Sequence, residues 1–178
     1  MSNKNEESIE RLIKRIEAND PVAMSEMGTK RVKEGDYKSA FEYWSRAAEL
    51  GDVNAHYQLA IMYCHGRGVE KDERRELHYL QEAAIRGHPE ARHNLGCTEE
   101  HHGSMDRATK HFIIAAKLGV DESLTHVKNL YKAGFVSKED FAAALRGHQA
   151  AVDATKSPQR EEAAEFQKFL AGCERNGI

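Results

Sequence analysis

Apolar residues in this chain recur at helical spacing in short runs closed by glycine or asparagine, and no stretch alternates with period two as a strand would. Residues 7–18 place Ile9, Leu12, Ile13 and Ile16 on one stripe of an otherwise charged helix, which reads as an N-terminal cap. Asp20-Pro21 then begins a fresh helix: the carboxylate accepts from free amides, and proline forfeits only an amide that has no intrahelical partner. The closing residues are Asn19, Gly51, Gly87 and Gly119, spaced 32, 36 and 32 residues apart. Asn and Gly enter the left-handed backbone region at least cost, so their recurrence marks helix ends and defines a repeat.

The register holds at further positions. Three and four residues before each closing glycine stand paired alanines, Ala47-Ala48, Ala83-Ala84 and Ala115-Ala116, small enough to let helices approach closely. Seven residues before it stands a large apolar side chain, Trp44, Leu80 or Phe112, expected in the core together with Tyr43, Tyr63, Tyr79 and Tyr131. Ala23, Ala55, Ala91 and Ser123 share one position of the first helices, and Met27, Leu59, Leu95 and Val127 share another. The 36-residue copy differs from its neighbours in its inter-helix loop, His65-Gly66-Arg67-Gly68-Val69, whose glycines are assigned to backbone angles with positive φ.

The pattern therefore predicts an all-α protein built from antiparallel helix pairs: an N-terminal capping helix in residues 1–19, repeats over 20–154 (20–51, 52–87, 88–119 and a degenerate 120–154), and a C-terminal capping helix and tail in 155–178. Ser137-Lys138-Glu139-Asp140 reads as a capping box for the second helix of the degenerate copy. A last helix over residues 159–170, carrying Phe166, Phe169 and Leu170, is expected to seal the end of the stack.

Composition agrees with a thin core: 40% of the 178 residues are hydrophobic, 31% are charged and the mean hydropathy is −0.72. With 26 basic and 29 acidic residues, net charge −3, no segment concentrates positive charge as a nucleic-acid surface does. The first twenty residues lack the apolar stretch of a secretory signal, and no apolar run has the roughly 18 residues of a membrane span. Three cysteines without paired spacing suit free thiols in a reducing compartment, cytoplasmic or nuclear.

Ala55, Leu59-Ala60, Tyr63, Gly66-x-Gly68-Val69 and Asp72, followed by Ala83-Ala84 and Gly87, resemble the Sel1-like repeat, a relative of the tetratricopeptide repeat. The flanking copies lack Gly-x-Gly-Val, and Glu76 stands where the family prefers an alanine, which Ala40 and Ala108 keep. The resemblance implies a right-handed α-solenoid acting as an adaptor in protein complexes. Nothing in the chain supplies RING ligands, so ubiquitin-ligase activity is not implied.

In such stacks the first helices line the concave face, and the repeat register assigns to it Tyr57, Gln58, Ile61, Cys64 and His65; His93, Asn94, Cys97, Glu100 and His101; and Thr125, His126, Asn129 and Lys132. Ser25, Glu26, Thr29, Val32 and Lys33 take the same positions in the first copy. Amide, imidazole and phenol side chains suit an extended peptide, whose backbone both donates and accepts, and Asn94 and Asn129 are the expected clamps. The partner is thus a protein or peptide, with no cofactor, no catalytic residue and no metal site expected. The ten histidines show no Cys-x2-Cys or His-x3-His spacing, and Gly66-x-Gly68 follows a helix rather than a strand, unlike a phosphate loop. Two rivals stay open: an enzyme with a His/Cys site in the groove, for which Cys97 and His93 or the pairs Cys64-His65 and His101-His102 are the candidates, and a self-assembling structural module.

Overall fold

The computed structural model of the chain describes residues 2–155, all of whose regular elements are helices: α1 (Ser2–Glu17), α2 (Pro21–Lys33), α3 (Tyr37–Glu49), α4 (Val53–His65), α5 (Glu73–Ile85), α6 (Pro89–His101), α7 (Met105–Lys117), α8 (Asp121–Lys132) and α9 (Lys138–Thr155). The expected helix over 159–170, with Phe166, Phe169 and Leu170, lies outside the described residues. The N-terminal helix starts at Ser2, earlier than the apolar stripe indicates, because its first turn is polar and carries no pattern.

Capping explains where the helices begin. Asp20, Asp36, Asp52 and Asp72 accept from amides two or three residues ahead, at 2.9 Å for Val22 and 2.6 Å for Ala55 among others. Ser137 Oγ takes the Asp140 amide at 3.0 Å and donates to the Asp140 carboxylate at 2.9 Å, so α9 starts on a variant of the expected box. The ends are equally regular. Gly51, Gly87 and Gly119 all have φ between 90° and 98°. Their amides, and those of the residues that follow, donate to the carbonyls of the paired alanines at 2.9 to 3.1 Å, as in Gly51 to Ala48 and Asp52 to Ala47. This double closure satisfies two otherwise orphaned carbonyls per repeat.

Two compact units divide the chain, one through His111 and one from Phe112. In the first, α2 packs on α3, α3 on α4, α4 on α5 and α5 on α6, with α1 against α2. Its core runs along these pairs, from Ile16, Met24, Met27, Trp44 and Leu59 to Leu80, Ala83, Ala84 and Leu95. Trp44 lies against Gly28: a Cβ there would stand 2.6 Å from the indole nitrogen, so the missing side chain is what admits the ring. In the second unit α8 packs on α9, with Phe112, Val127 and Ala144 fully buried.

Tyr131 departs from the expected core role. It stacks on Phe141 with ring centroids 4.7 Å apart yet remains 36% exposed. Its repeat equivalent, Tyr63, is enclosed by Phe41, Tyr79 and the Arg75 guanidinium. Counted from the caps Asp72 and Ser137, the α9 positions matching Arg75 and Tyr79 hold Asp140 and Ala144, too short to cover the ring.

Candidate functional site

The first helices of the first unit carry most of the residues assigned to the groove, and the structure sorts them into two kinds. Tyr57 and Asn94 are engaged with each other: the phenol is hydrogen bonded to the Asn94 side chain, and its ring stacks on His88 at 4.3 Å. Burial raises the Tyr57 phenol above its ordinary pKa, with the Asn94 bond opposing. The pair thus ties α4 to α6. Gln58 and Ile61, by contrast, line a narrow cleft of about 50 Å³ with Val32, Tyr37, Trp44, Met62 and Arg67. Cys97 and His101 line a larger one of about 270 Å³. His65 is exposed, its Nδ1 3.1 Å from the Ile61 carbonyl oxygen.

In the second unit Thr125 and Asn129 are exposed on α8, Thr125 donating to the Asp121 carbonyl at 3.2 Å. His126 is half-buried and stacks on Phe112, centroids 4.4 Å apart. This imidazole is therefore part of the packing of its own unit.

Thiol chemistry fits poorly. Cys97 Sγ lies 3.5 Å from His93 Nε2, but burial, reinforced by Glu100, raises the thiol above its ordinary pKa. Cys64 is raised likewise by burial and by Glu76, to which it is hydrogen bonded. A cysteine nucleophile needs the opposite shift. In the other candidate pairs of the enzyme reading, Cys64 meets Glu76 and His102 meets Glu73 at 3.7 Å, so each is engaged with a carboxylate of α5. Glu73, Glu76, Leu77, Leu80, Thr98 and His102 complete the larger cleft; the four on α5 were not foreseen because only first helices were assigned to the groove. One signal pointed there: the departure of Glu76 from an alanine whose equivalents, Ala40 and Ala108, are fully buried.

Histidines also make the first unit sensitive to acid. His88 replaces the capping aspartates of α2 and α4, its Nδ1 accepting from the Ala91 amide at 3.3 Å. His56 is 8% exposed, with neither ring nitrogen hydrogen bonded within the protein. Burial lowers the pKa of both; Arg86 and His78 add to this at His56, while Glu82 and Asp52 oppose it, and Glu90 and Asp52 oppose it at His88. The unfolded chain therefore takes up these protons first, so the contribution of these two imidazoles to stability is fully present above about pH 6.5 and is lost as the pH drops below it. The melting temperature is expected to decline between about pH 6.5 and 5.5, and to decline less in a His56→Phe/His88→Asn variant. Equal slopes for the two proteins would exonerate these imidazoles.

Helix pairs closed by glycine and joined through paired alanines define an all-α repeat protein of the solenoid class. The model of the Sel1 repeat matches residues 23–52, 53–88 and 89–120, and the chain belongs to the Sel1 repeat family. Proteins of this family are generally scaffolds for protein interaction. Among curated proteins, the chain is 25% identical over 196 aligned residues to DAP3-binding cell death enhancer 1 of Mus musculus and 24% identical to that of Rattus norvegicus. Each match covers 88% of this chain but only 38% of the relative. Among solved structures it is similar to a Sel1 repeat protein from Oxalobacter formigenes (TM-score 0.69, 30% identity, 83% of this chain and 64% of that one). It is also similar to c5321, a protective antigen of uropathogenic Escherichia coli with an SLR fold (TM-score 0.64, 28% identity, 83% and 33%). Among the described residues no helix is long and apolar enough to cross a membrane.

Proposed function

We propose that the chain is a non-catalytic adaptor that holds an extended segment of a protein partner along the first helices of its repeats, inside the cell. What supports the reading most is that the equivalent junctions of two successive repeats, α3–α4 and α5–α6, each leave a cleft beside groove positions, Gln58 and Ile61 at one, Cys97 and His101 at the other. An extended peptide places alternate side chains to one side, and pockets at a regular interval suit such a ligand. Tyr57 and Asn94 are already bonded to each other, so in this reading the side chains at the clefts, rather than this pair, make the main contacts. The mouse relative is named for binding DAP3, which makes DAP3 the first defined partner to try.

Affinity capture with the wild-type chain and with Gln58→Ala/Ile61→Ala tests the proposal, with purified DAP3 as one bait and cell extract as the other. Both side chains are half-buried at a cleft rather than in the core, so the variant is expected to keep its melting temperature within a few degrees. Recovery of stoichiometric partners is expected to fall about tenfold, the effect of losing some 1.4 kcal/mol of binding energy. A folded variant that recovers the same partners at full yield would remove the groove from the function.

A further inference from the structure

The two clefts lie at equivalent junctions of successive repeats, since a shift of 36 residues carries four residues of the first lining onto four of the second. Tyr37 becomes Glu73, Trp44 becomes Leu80, Ile61 becomes Cys97 and Met62 becomes Thr98. Each replacement is smaller. In the first junction the indole and the methionine fill the space between α3 and α4, leaving about 50 Å³; between α5 and α6 their counterparts leave about 270 Å³. At its rim two positions grew: Glu76 stands in place of the fully buried Ala40, and His102 in place of Gly66. The cavity is thus a property of this junction and not of the repeat in general.

Its lining is divided. Leu77, Leu80 and Cys97 make an apolar floor, while Glu73 and Glu76, one helical turn apart on α5, put two carboxylates at the mouth; no lysine or arginine lines it. Glu76 already accepts from the Cys64 thiol and Glu73 stands 3.7 Å from His102, which leaves lone pairs on both carboxylates. A volume just under the usual range for small-molecule sites suits one long side chain better than a whole ligand. Only two common side chains combine a flexible apolar stem with a cationic head, lysine and arginine. We propose that this cleft is a specificity pocket for a basic side chain of the partner segment, the stem lying on Leu77 and Leu80 and the head between Glu73 and Glu76. The inference rests on the adaptor reading and adds to it what that reading lacks, the chemistry of one partner position. The Glu73 side chain is 80% exposed, so the anchoring rests on the stem packed over the apolar floor and on the half-buried Glu76 rather than on a desolvated ion pair.

The test uses the full chain and the pentapeptides Ac-Ala-Ala-X-Ala-Ala-NH2, with X arginine, lysine, citrulline or norleucine, followed by amide NMR shifts of Leu77 and Thr98. Arginine or lysine is expected to saturate these shifts at a concentration at least about tenfold below that for citrulline and norleucine, and to lose that advantage in Glu73→Gln/Glu76→Gln. Thr98→Met, which restores the residue of the preceding junction, is expected to abolish the shifts for every peptide. Melting curves establish that both variants fold. Equal saturation by the neutral and basic peptides would overturn the proposal, as would arginine binding that survives Thr98→Met in a folded protein. Either result would leave the adaptor reading standing if Gln58→Ala/Ile61→Ala still loses its partners, so the two failures are distinguishable.

Discussion

Trp44→Ala is expected to lower the free energy of unfolding by about 3 to 5 kcal/mol, the range for removing a fully enclosed aromatic ring. The upper part of the range applies here because the cavity has little means of collapsing. The indole is 3% exposed, one wall is the bare backbone of Gly28, and the alanines that complete the layer, Ala40 and Ala47, have no freedom to move in. The indole nitrogen also donates to the Ser25 carbonyl at 3.1 Å, tying α3 to α2. Since small domains are stable by only about 5 to 15 kcal/mol, the variant loses a large share of its margin. Urea denaturation of both proteins provides the check, and a midpoint left in place would remove Trp44 from the core layer.

Gly68→Ala is the second largest expected loss, about 2 to 4 kcal/mol, the sum of a left-handed backbone cost of about 1 to 2 and an overpacking cost of similar size. Gly68 has φ of 74°, and a Cβ on it would lie 2.9 Å from both the Cβ and the carbonyl oxygen of Tyr37 and 3.0 Å from Met62 Cε. Two of those atoms belong to the rigid start of α3, so a change of rotamer offers no relief. Gly51→Ala serves as the comparison: its φ is 90°, but nothing stands within 4 Å of the added carbon. It is expected to show the conformational cost alone, about 1 to 2 kcal/mol. If the two variants melt together, the contact of the loop with α3 contributes nothing.

These two glycines show how the sequence speaks and where it stops. Both were legible as positive-φ positions, Gly51 because it recurs at the repeat period and Gly68 because it lies in a turn between helices. That Gly68 presses on Tyr37 is not written in either segment, since the contact joins residues 31 positions apart in the chain. Tyr57 shows the same division. Its place on the inner side of α4 follows from periodicity, but whether the ring is free for a partner depends on His88 and Asn94, which lie in the next repeat and claim it.

By itself the sequence determined the helix pairs, their period, the capping role of Asp20, the paired alanines and the burial of Trp44, Leu80 and Phe112. All of these depend on residues within one or two turns of each other or on positions that recur, and local backbone chemistry with a regular repeat is what a linear pattern can carry. Only the tertiary structure decided that equivalent junctions differ in emptiness. The space beside Leu80 and Cys97 is the volume left after side chains from α5 and α6 are packed together, and such a remainder belongs to no single position in the chain. Of the residues that make it, Glu76 stood out in the sequence as a departure from alanine, while Thr98 carried no signal. Their meaning required the neighbour 22 residues away.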